Sequence, residues 1–420
     1  MILVSRNTSR FFQSTLLIVF VFSSASAQDV ATLANQPAVK EAFDVIRRNE
    51  PAMLEEQQRI CEIAAPPFQE STRAAELKRL FEQLGLAGVR IDRAGNVIGT
   101  RPGMQPRPNL VLAAHLDTVF PPGTDVKVTR TGDVMRGPGI ADDCRGLVVL
   151  LGVIRALNEA KVKTPGTITF VADVGEEGLG DLRGMKELFG ETLKDGVDAF
   201  VSVDGNGPSI TNTGVGSYRY KVTFKGPGGH SYGSFGMANP IQAMGQAIAK
   251  IDQFEVPLTP KTTFNVGRVG GGTSVNAIPF EAWMEVDLRS ADVKELAKLH
   301  ESFKRAVNDA VSEENKRWND RGAVSVAMEL VGLRPAGKTA ESLPIVRTAL
   351  AVNQVLGLNA ATLGEGSTDA NVPMNLRIPA ITIGGGGSGS GAHSLNESFD
   401  GRDSWKGTQR ALLLALALAR

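Results

Sequence analysis

The spacing of apolar residues predicts helices that alternate with buried strands over the first half of the chain. Apolar positions recur at helical spacing from Ala38 to Ile63, a segment that Pro51 should break into two helices. Further helices are expected from Ser71 to Leu86 and from Gly146 to Ala160. The runs between and after them have the apolar character of central strands: "NLVLAAHLDTVF", "GTITFVADV" and "DAFVSVDG". This alternation is typical of an α/β fold.

A different pattern occupies residues 216–333. The run "SYRYKVTFKG" alternates polar and apolar residues, as a half-exposed strand does. A helix from Pro240 to Phe254, two more strands, a charged helix from Val293 to about Trp318 and a last strand follow. The order β-α-β-β-α-β is that of the ferredoxin-like split unit. We therefore expect an inserted α+β domain between two parts of one α/β domain, residues 28–215 and 334–420.

Composition narrows the possible partners. The chain has 420 residues, with 45 basic and 45 acidic side chains, so its formal net charge is zero. A nucleic-acid-binding surface would be strongly basic, and we expect no nucleic-acid partner.

Residues 1–27 have the features of a secretory signal peptide. Arg6 and Arg10 precede the apolar run "STLLIVFVF", and small residues at 25–27 supply a cleavage site. The run is too short for a stable membrane span. We expect a mature start near Gln28 and a periplasmic or secreted protein; the alternative is an uncut N-terminal anchor.

The chain contains two cysteines, Cys61 and Cys144. One disulfide is possible, but the sequence does not decide it. Cys144 follows Asp142 and Asp143, so it could instead be a small packed residue near a site.

Histidines and carboxylates follow several predicted strands, where α/β proteins place function. His115 and Asp117 project from one face of a strand, so the imidazole could bind a metal while the carboxylate orients the ring or its neighbours. On its own, this pair is more typical of a buried structural histidine. Asp142 and Asp143 precede a helix. A carboxylate there could bridge two cations, but alone it is more typical of a helix cap.

Two adjacent glutamates close the stretch "FVADVGEEG". Glu176 and Glu177 could divide two tasks, since one can bind a metal while the other takes a proton from water. A solvated acidic loop is the alternative. Asp204 ends "VSVDG" as a turn aspartate would, and His393 follows a glycine-rich run that could be a linker. Together, these side chains suit a site for two zinc-like ions.

The series of motifs is similar to that of a known family: "AAHLDTVF", "GPGIADD", "VGEEGLGD", "VSVDG", "GPGGHSYG", "VNAIP", "STDAN" and "AHSLNE". In this order the chain resembles the dinuclear zinc aminoacyl-hydrolases, which include peptidase T, carboxypeptidase G, aminoacylase-1, succinyl-diaminopimelate desuccinylase and acetylornithine deacetylase. The resemblance implies a zinc-peptidase catalytic domain with a mixed sheet flanked by helices. It also implies that the ferredoxin-like insert is a lid and dimerisation domain.

The resemblance also implies a role for each motif residue. Glu176 would be the general base, and Asp117 would support the metal ligands. Two Zn²⁺ ions, or other divalent ions such as Co²⁺ or Mn²⁺, would be held by His115, Asp142, Glu177, Asp204 and His393. Asp142 would bridge both ions. His115 and Asp204 would share one ion, and His393 and Glu177 the other.

In the insert, His230 resembles a lid histidine that stabilises the tetrahedral oxyanion, often across a homodimer. Asn276 and Arg289 resemble residues that hold the substrate's carbonyl and carboxylate, for which a guanidinium offers a matching fork of donors. A surface ion pair is the alternative for Arg289. His300 matches no motif and is expected to be a solvated surface residue.

Two departures from the family pattern bear on the chemistry. Many members carry a lysine soon after the bridging aspartate, where this chain has Cys144 and Arg145. Asp204 is an aspartate where several deacylases have glutamate, which favours a peptidase.

We therefore expect a zinc-dependent hydrolase of small peptides with a free carboxylate, either a peptidase T-like di- or tripeptidase or a carboxypeptidase G-like exopeptidase. The alternatives are an N-acyl amino acid deacylase, a two-metal phosphoesterase and a non-catalytic dimeric binding homologue.

Overall fold

The computed structural model of the protein describes residues 26–358 and 362–420. All but the last two residues of the expected signal peptide, 1–27, lie outside the described residues. Within the described ranges, no helix has both the length and the apolar character that crossing a bilayer requires.

The elements before the insert are α1 (Ala27–Ala34), α2 (Pro37–Cys61), α3 (Ser71–Gln83), β1 (Ala87–Ile91), β2 (Val97–Arg101), β3 (Asn109–His115), β4 (Thr129–Thr131), β5 (Val134–Arg136), α4 (Cys144–Glu159), β6 (Thr167–Asp173), α5 (Arg183–Glu187), β7 (Ala199–Val203) and β8 (Ile210–Gly214). The insert contains β9 (Gly216–Lys225), β10 (Gly229–His230), α6 (Pro240–Asp252), β11 (Thr262–Gly271), β12 (Ala277–Ile278), β13 (Glu281–Ser290), α7 (Val293–Arg317) and β14 (Ser325–Arg334). After it come β15 (Gly337–Lys338), α8 (Pro344–Val355), β16 (Leu363–Gly366), α9 (Asn371–Asn375), β17 (Ala380–Ile383), β18 (Ser388–Ser390), β19 (Ser398–Asp400) and α10 (Trp405–Leu418).

The first and last parts of the described chain share one mixed sheet of nine strands, ordered β1-β2-β6-β3-β7-β17-β8-β15 with β16 beside β8. Strands β6, β3, β7 and β17 are mutually parallel, so their carboxyl ends meet at one edge. Both faces are buried: on β3, Leu110 and Leu112 face one apolar cluster, while Val111 and Ala113 face another. The predicted α/β fold is confirmed.

The insert folds around its own core. Its strands pair antiparallel in the order β11-β13-β9-β14. Helices α6 and α7 pack on this sheet through an apolar cluster that includes Val222, Phe224, Met284 and Phe303. The strand order is that of the ferredoxin-like split unit, as the alternation pattern predicts.

Two local predictions are wrong. Helix α2 continues through Pro51, which lies on the exposed side while Met53 and Leu54 are buried, so packing outweighs the lost backbone bond. His300 is not a solvated surface residue. Its ring stacks on Tyr218 at 4.0 Å between centroids, and its Nε2 lies 2.7 Å from the Tyr220 hydroxyl.

A disulfide joins Cys61 to Cys144, which are separated by 83 positions in the chain. Both cysteines are fully buried, at the end of α2 and the start of α4. The bond therefore links the segment that follows Asp142 to α2, a helix of 25 residues.

Replacing both cysteines (C61A/C144A) should lower the free energy of unfolding by about 2–5 kcal/mol, because the unfolded chain regains the freedom of a long loop. Urea denaturation of the variant and the wild-type protein measures this difference. Adding a reductant should shift the wild-type curve but not that of the variant. Coincident curves for variant and wild type would show that the bond adds no stability.

Candidate metal centre

Six side chains converge where the parallel strands of the large sheet end. Their donor atoms form three groups, in each of which all ligand atoms lie within 4.8 Å of one another. The groups are His115, Asp142 and Asp204; His115, Glu176 and Glu177; and Asp142, Glu177 and His393. All five expected metal ligands and the expected base thus lie in one cluster.

Asp142 occupies the middle of this cluster. Its Oδ1 lies 3.0 Å from Nε2 of His115, and its Oδ2 lies 3.3 Å from Nε2 of His393. His393 Nε2 is also 3.0 Å from Oε1 of Glu177. The two oxygens of Asp142 therefore face different imidazoles, which is the arrangement that a carboxylate bridging two ions requires.

Two side chains of the cluster have a raised affinity for protons. Hydrogen bonds to Asp142 and Glu177 raise the pKa of His393 to about 10. Burial, with the charge of Asp142, raises the pKa of Asp204 to about 7. The cluster combines imidazole nitrogens with carboxylate oxygens whose negative charges repel one another. This set of donors fits divalent ions of the zinc type.

Asp117 makes hydrogen bonds to two parts of the cluster, the ring of His115 and the backbone of residues 175–177. Its backbone carbonyl accepts a hydrogen bond from Nδ1 of His115 at 3.0 Å, which leaves Nε2 free to bind a metal. Its buried carboxylate accepts the backbone N–H groups of Gly175, Glu176 and Glu177 at 2.9, 3.1 and 2.9 Å. One residue thus orients a histidine ligand and the paired glutamates.

The adjacent aspartates divide the two roles that the sequence left open. Asp143 is the N-cap of α4: its carboxylate accepts N–H of Gly146 at 2.9 Å and N–H of His115 at 3.2 Å. Asp142, joined to it by a cis peptide bond, faces the cluster. Arg145, one of the residues in which this chain departs from the family pattern after Asp142, is buried and donates to the carbonyls of Gly385 and Ser404 at 2.9 and 2.6 Å.

Glu176 pairs with an arginine that sequence reasoning missed. Arg334, the last residue of β14, donates to Oε1 of Glu176 at 3.1 Å and also to its carbonyl oxygen. Burial raises the pKa of Glu176 well above its usual value, against the lowering effect of Arg334. A glutamate with raised proton affinity suits a proton acceptor. The one available signal was a charged residue in the otherwise apolar run "LVGLRPAG".

A cleft of about 380 Å³ opens over the cluster. Three arginines line it together with the metal-binding side chains: Arg219, Arg289 and Arg334. Arg289 and Arg219 both pair with Asp287, at 2.6 and 3.2 Å. Arg289 therefore makes an ion pair and faces the cleft; its role in holding a substrate carboxylate stays a prediction.

His230 and Asn276 are adjacent to each other but away from the cleft. The described residues that line it include neither side chain. Both are exposed on the β10–β12 pair, where N–H of Ser231 donates to the carbonyl of Asn276 at 2.9 Å. Nδ1 of His230 accepts N–H groups of Tyr232 and Gly233, both at 3.2 Å, so its Nε2 carries the proton.

A metal-dependent hydrolase needs metal-binding donors and a proton acceptor, and this cluster at the edge of the α/β sheet, which includes the buried Glu176, can supply both. Residues 111–417 match the family described as Peptidase family M20/M25/M40. The chain belongs to this family, and the resemblance seen in its motifs is confirmed.

Curated relatives cover much of the chain at low identity. The chain is 26% identical over 353 residues to the uncharacterized protein YqjE of Bacillus subtilis, covering 80% of this chain and 90% of YqjE. It is 26% identical over 292 residues to carboxypeptidase G2 of Pseudomonas sp., covering 66% and 67%. Succinyl-diaminopimelate desuccinylase of Corynebacterium glutamicum is 28% identical over 247 residues, covering 57% and 66%.

Solved structures share the fold over most of the chain. A tripeptidase of Staphylococcus aureus aligns with a TM-score of 0.75 and 25% identity, covering 89% of this chain and 99% of the tripeptidase. YXEP of Bacillus subtilis, described as a dinuclear metal-binding peptidase of the M20 family, aligns with a TM-score of 0.66 and 18% identity, covering 88% and 98%.

Metal binding should tighten between about pH 6 and about pH 8, by about tenfold per pH unit for each proton displaced. His393 has a pKa of about 10 without metal, so a proton must leave it throughout this range. Asp204, with a pKa of about 7, contributes a second proton in the lower half of the range.

Calorimetric titration with Zn²⁺ in buffers of different ionisation enthalpy counts the protons released. A Zn²⁺ affinity that stays constant across this pH range would contradict the expected release of protons from His393 and Asp204.

Proposed function

We propose that the protein is an exported two-zinc hydrolase that cleaves the amide bond of small peptides with a free carboxylate, as a di- or tripeptidase or as a carboxypeptidase-like exopeptidase. The observation that carries the proposal is the arginine-lined cleft directly over the metal-binding cluster and Glu176. Export is supported by the signal-like residues 1–27, and by the disulfide, since such bonds persist in oxidising compartments.

His115, Asp142, Asp204, Glu177 and His393 would hold the ions. Bound zinc supplies a water molecule with a pKa lowered toward neutrality and polarises the substrate carbonyl. Glu176 accepts the proton of the attacking water and passes it to the leaving amine. Arg334 holds the Glu176 carboxylate in place through this transfer.

The arginines give the cleft its selectivity for a carboxylate. Arg219 and Arg289 share one acidic partner, Asp287, while Arg219 also donates to the carbonyl of Gly178, so the pair of guanidinium groups retains excess positive charge. A substrate carboxylate can take the remaining donors of either guanidinium in a paired geometry. Asp204, an aspartate in place of the deacylase glutamate, favours peptides as the substrate class.

An N-acyl amino acid is the second candidate substrate. It also has an amide bond beside a free carboxylate, and the relative from Corynebacterium glutamicum is a desuccinylase. The difference between the two classes is the free amino terminus of a peptide.

The zinc-loaded protein should hydrolyse free dipeptides or tripeptides in preference to matched N-acyl amino acids. Rates are measured on pairs that share the carboxyl-terminal residue. Glu176→Gln should retain both metals but lose about 10²- to 10⁴-fold in turnover, because the proton acceptor is gone.

Cleavage of acyl amino acids alone would replace the peptide assignment with a deacylase. Wild-type turnover in Glu176→Gln would remove this residue as the base. Metal content, measured on each preparation, is the control for both results.

A homodimer through the insert would give His230 a site to act on. Around His230 and Asn276 lie exposed apolar side chains, among them Tyr232 at 89% and Phe235 at 74% exposure. An exposed apolar patch of this kind is typical of a protein–protein contact. We propose that His230 of each protomer stabilises the oxyanion in the cleft of its partner.

Mixing two inactive variants tests this arrangement. Glu176→Gln lacks the base and His230→Ala lacks the oxyanion donor, but a mixed dimer contains one complete site. Co-refolded equal amounts should recover about a quarter of wild-type activity if subunits pair at random. Recovery of none, with mixed dimers present by mass spectrometry, would place His230 outside the partner's site.

A further inference from the structure

One buried carboxylate at the edge of the metal centre has no role in the chemistry above. Glu397 follows His393 by four residues and is only 1% exposed. Its Oε2 accepts N–H of Gly139 at 2.9 Å, and its Oε1 accepts N–H of Ala141 at 2.8 Å and of Asp142 at 3.0 Å. A side chain from the last part of the chain thus fixes the backbone of the segment that contains the central ligand.

The position of Glu397 follows from the pairing of two short strands. β19, which begins just after Glu397, pairs antiparallel with β5, which leads toward Asp142. Beyond this pair, N–H of Gly137 donates to the carbonyl of Glu397 at 3.1 Å. The carboxylate then binds three further N–H groups of the same segment. The Glu397 side chain thus holds the segment after β5 to the segment before β19, beyond the point where the two strands stop pairing.

Both segments that Glu397 joins contain a ligand of the same proposed ion. Asp142 is directly hydrogen-bonded to Glu397, and His393 lies on the loop that leads into it. The carboxylate repeats the arrangement at Asp117, which binds the three N–H groups of the Glu176 and Glu177 segment. The segment that contains Asp142 and the segment that contains Glu177 are therefore each held by one buried acid.

We propose that Glu397 is a positioning residue of the metal centre, which sets the separation of Asp142 and His393 and hence the affinity for the ion they share. The inference rests on the proposed two-metal function. Removing the carboxylate leaves three N–H groups, two of them buried, without their acceptor, so the segment around Asp142 must move to satisfy them. The side chain of His393 is 56% exposed, and its Nε2 contacts Asp142 and Glu177, so its place depends on where these two carboxylates lie.

Glu397→Ala should weaken binding of one of two Zn²⁺ ions by about 10- to 100-fold, the usual effect of losing a residue that orients metal ligands. Glu397→Gln keeps the volume and one acceptor oxygen, so its loss should be smaller. Titration of the metal-free full-length protein with Zn²⁺ by calorimetry gives both affinities without any substrate. If the alanine variant does not fold, the glutamine variant alone decides the result.

Glu314→Gln is the matched control. Glu314 is a fully buried acid of the insert that accepts N–H of Asn239, Nε2–H of Gln246 and Nε1–H of Trp318, each at 3.0 Å. It touches no metal-binding residue, so its replacement should lower the melting temperature and leave both zinc affinities unchanged.

Wild-type zinc affinities in both Glu397 variants, with a stability loss like that of the control, would overturn the positioning role. Failure of the wild-type protein itself to bind two ions would instead overturn the proposed two-metal function, and the inference with it. Because the readout is metal affinity, a wrong substrate assignment leaves the result unaffected.

Discussion

Repulsion among the carboxylates crowded at the end of the large sheet is the constraint on which the metal centre depends. Asp142, Glu176, Glu177 and Asp204 share one end of the sheet, and the cost of negative charge there is seen in the pKa values of Glu176 and Asp204, which burial raises. Imidazoles, one guanidinium and backbone N–H groups offset this cost in part. The remaining deficit of positive charge is what gives the site its affinity for divalent ions.

The fold assembles this cluster from segments far apart in the chain. His115 and Asp204 follow adjacent parallel strands, so sheet topology alone brings them together. His393 arrives by a different route, because the pairing of β19 with β5 brings its loop beside Asp142. The disulfide between α2 and α4 then fastens the start of the helix that Asp143 caps.

The side chains of the cluster could be predicted from the sequence because each lies in a local motif. His115, Glu177 and Asp204 lie at or just after the ends of apolar strands, whereas Asp142 and His393 lie in glycine-containing loops. Arg334 and Glu397 could not be predicted, since their roles consist of contacts with residues more than a hundred positions away. The disulfide joins cysteines 83 positions apart, and packing against other segments carries α2 through Pro51, so neither could be predicted from a local motif. For His230 and Asn276 the motif predicted a role, but one chain does not bring them to its own cleft.

The place of Arg334 at the end of β14 connects the geometry of the insert with the acidity of Glu176. Its guanidinium opposes the rise in proton affinity that burial imposes on this carboxyl group. A rotation that carried β14 away would leave Glu176 buried without its cation, and the group would hold its proton more tightly. A protonated Glu176 could not accept a proton from water, so the proposed hydrolysis would stop even with metals and water in place. The position of the insert would therefore control the protonation of the proposed base, because Glu176 gives up its proton more readily while Arg334 lies beside it.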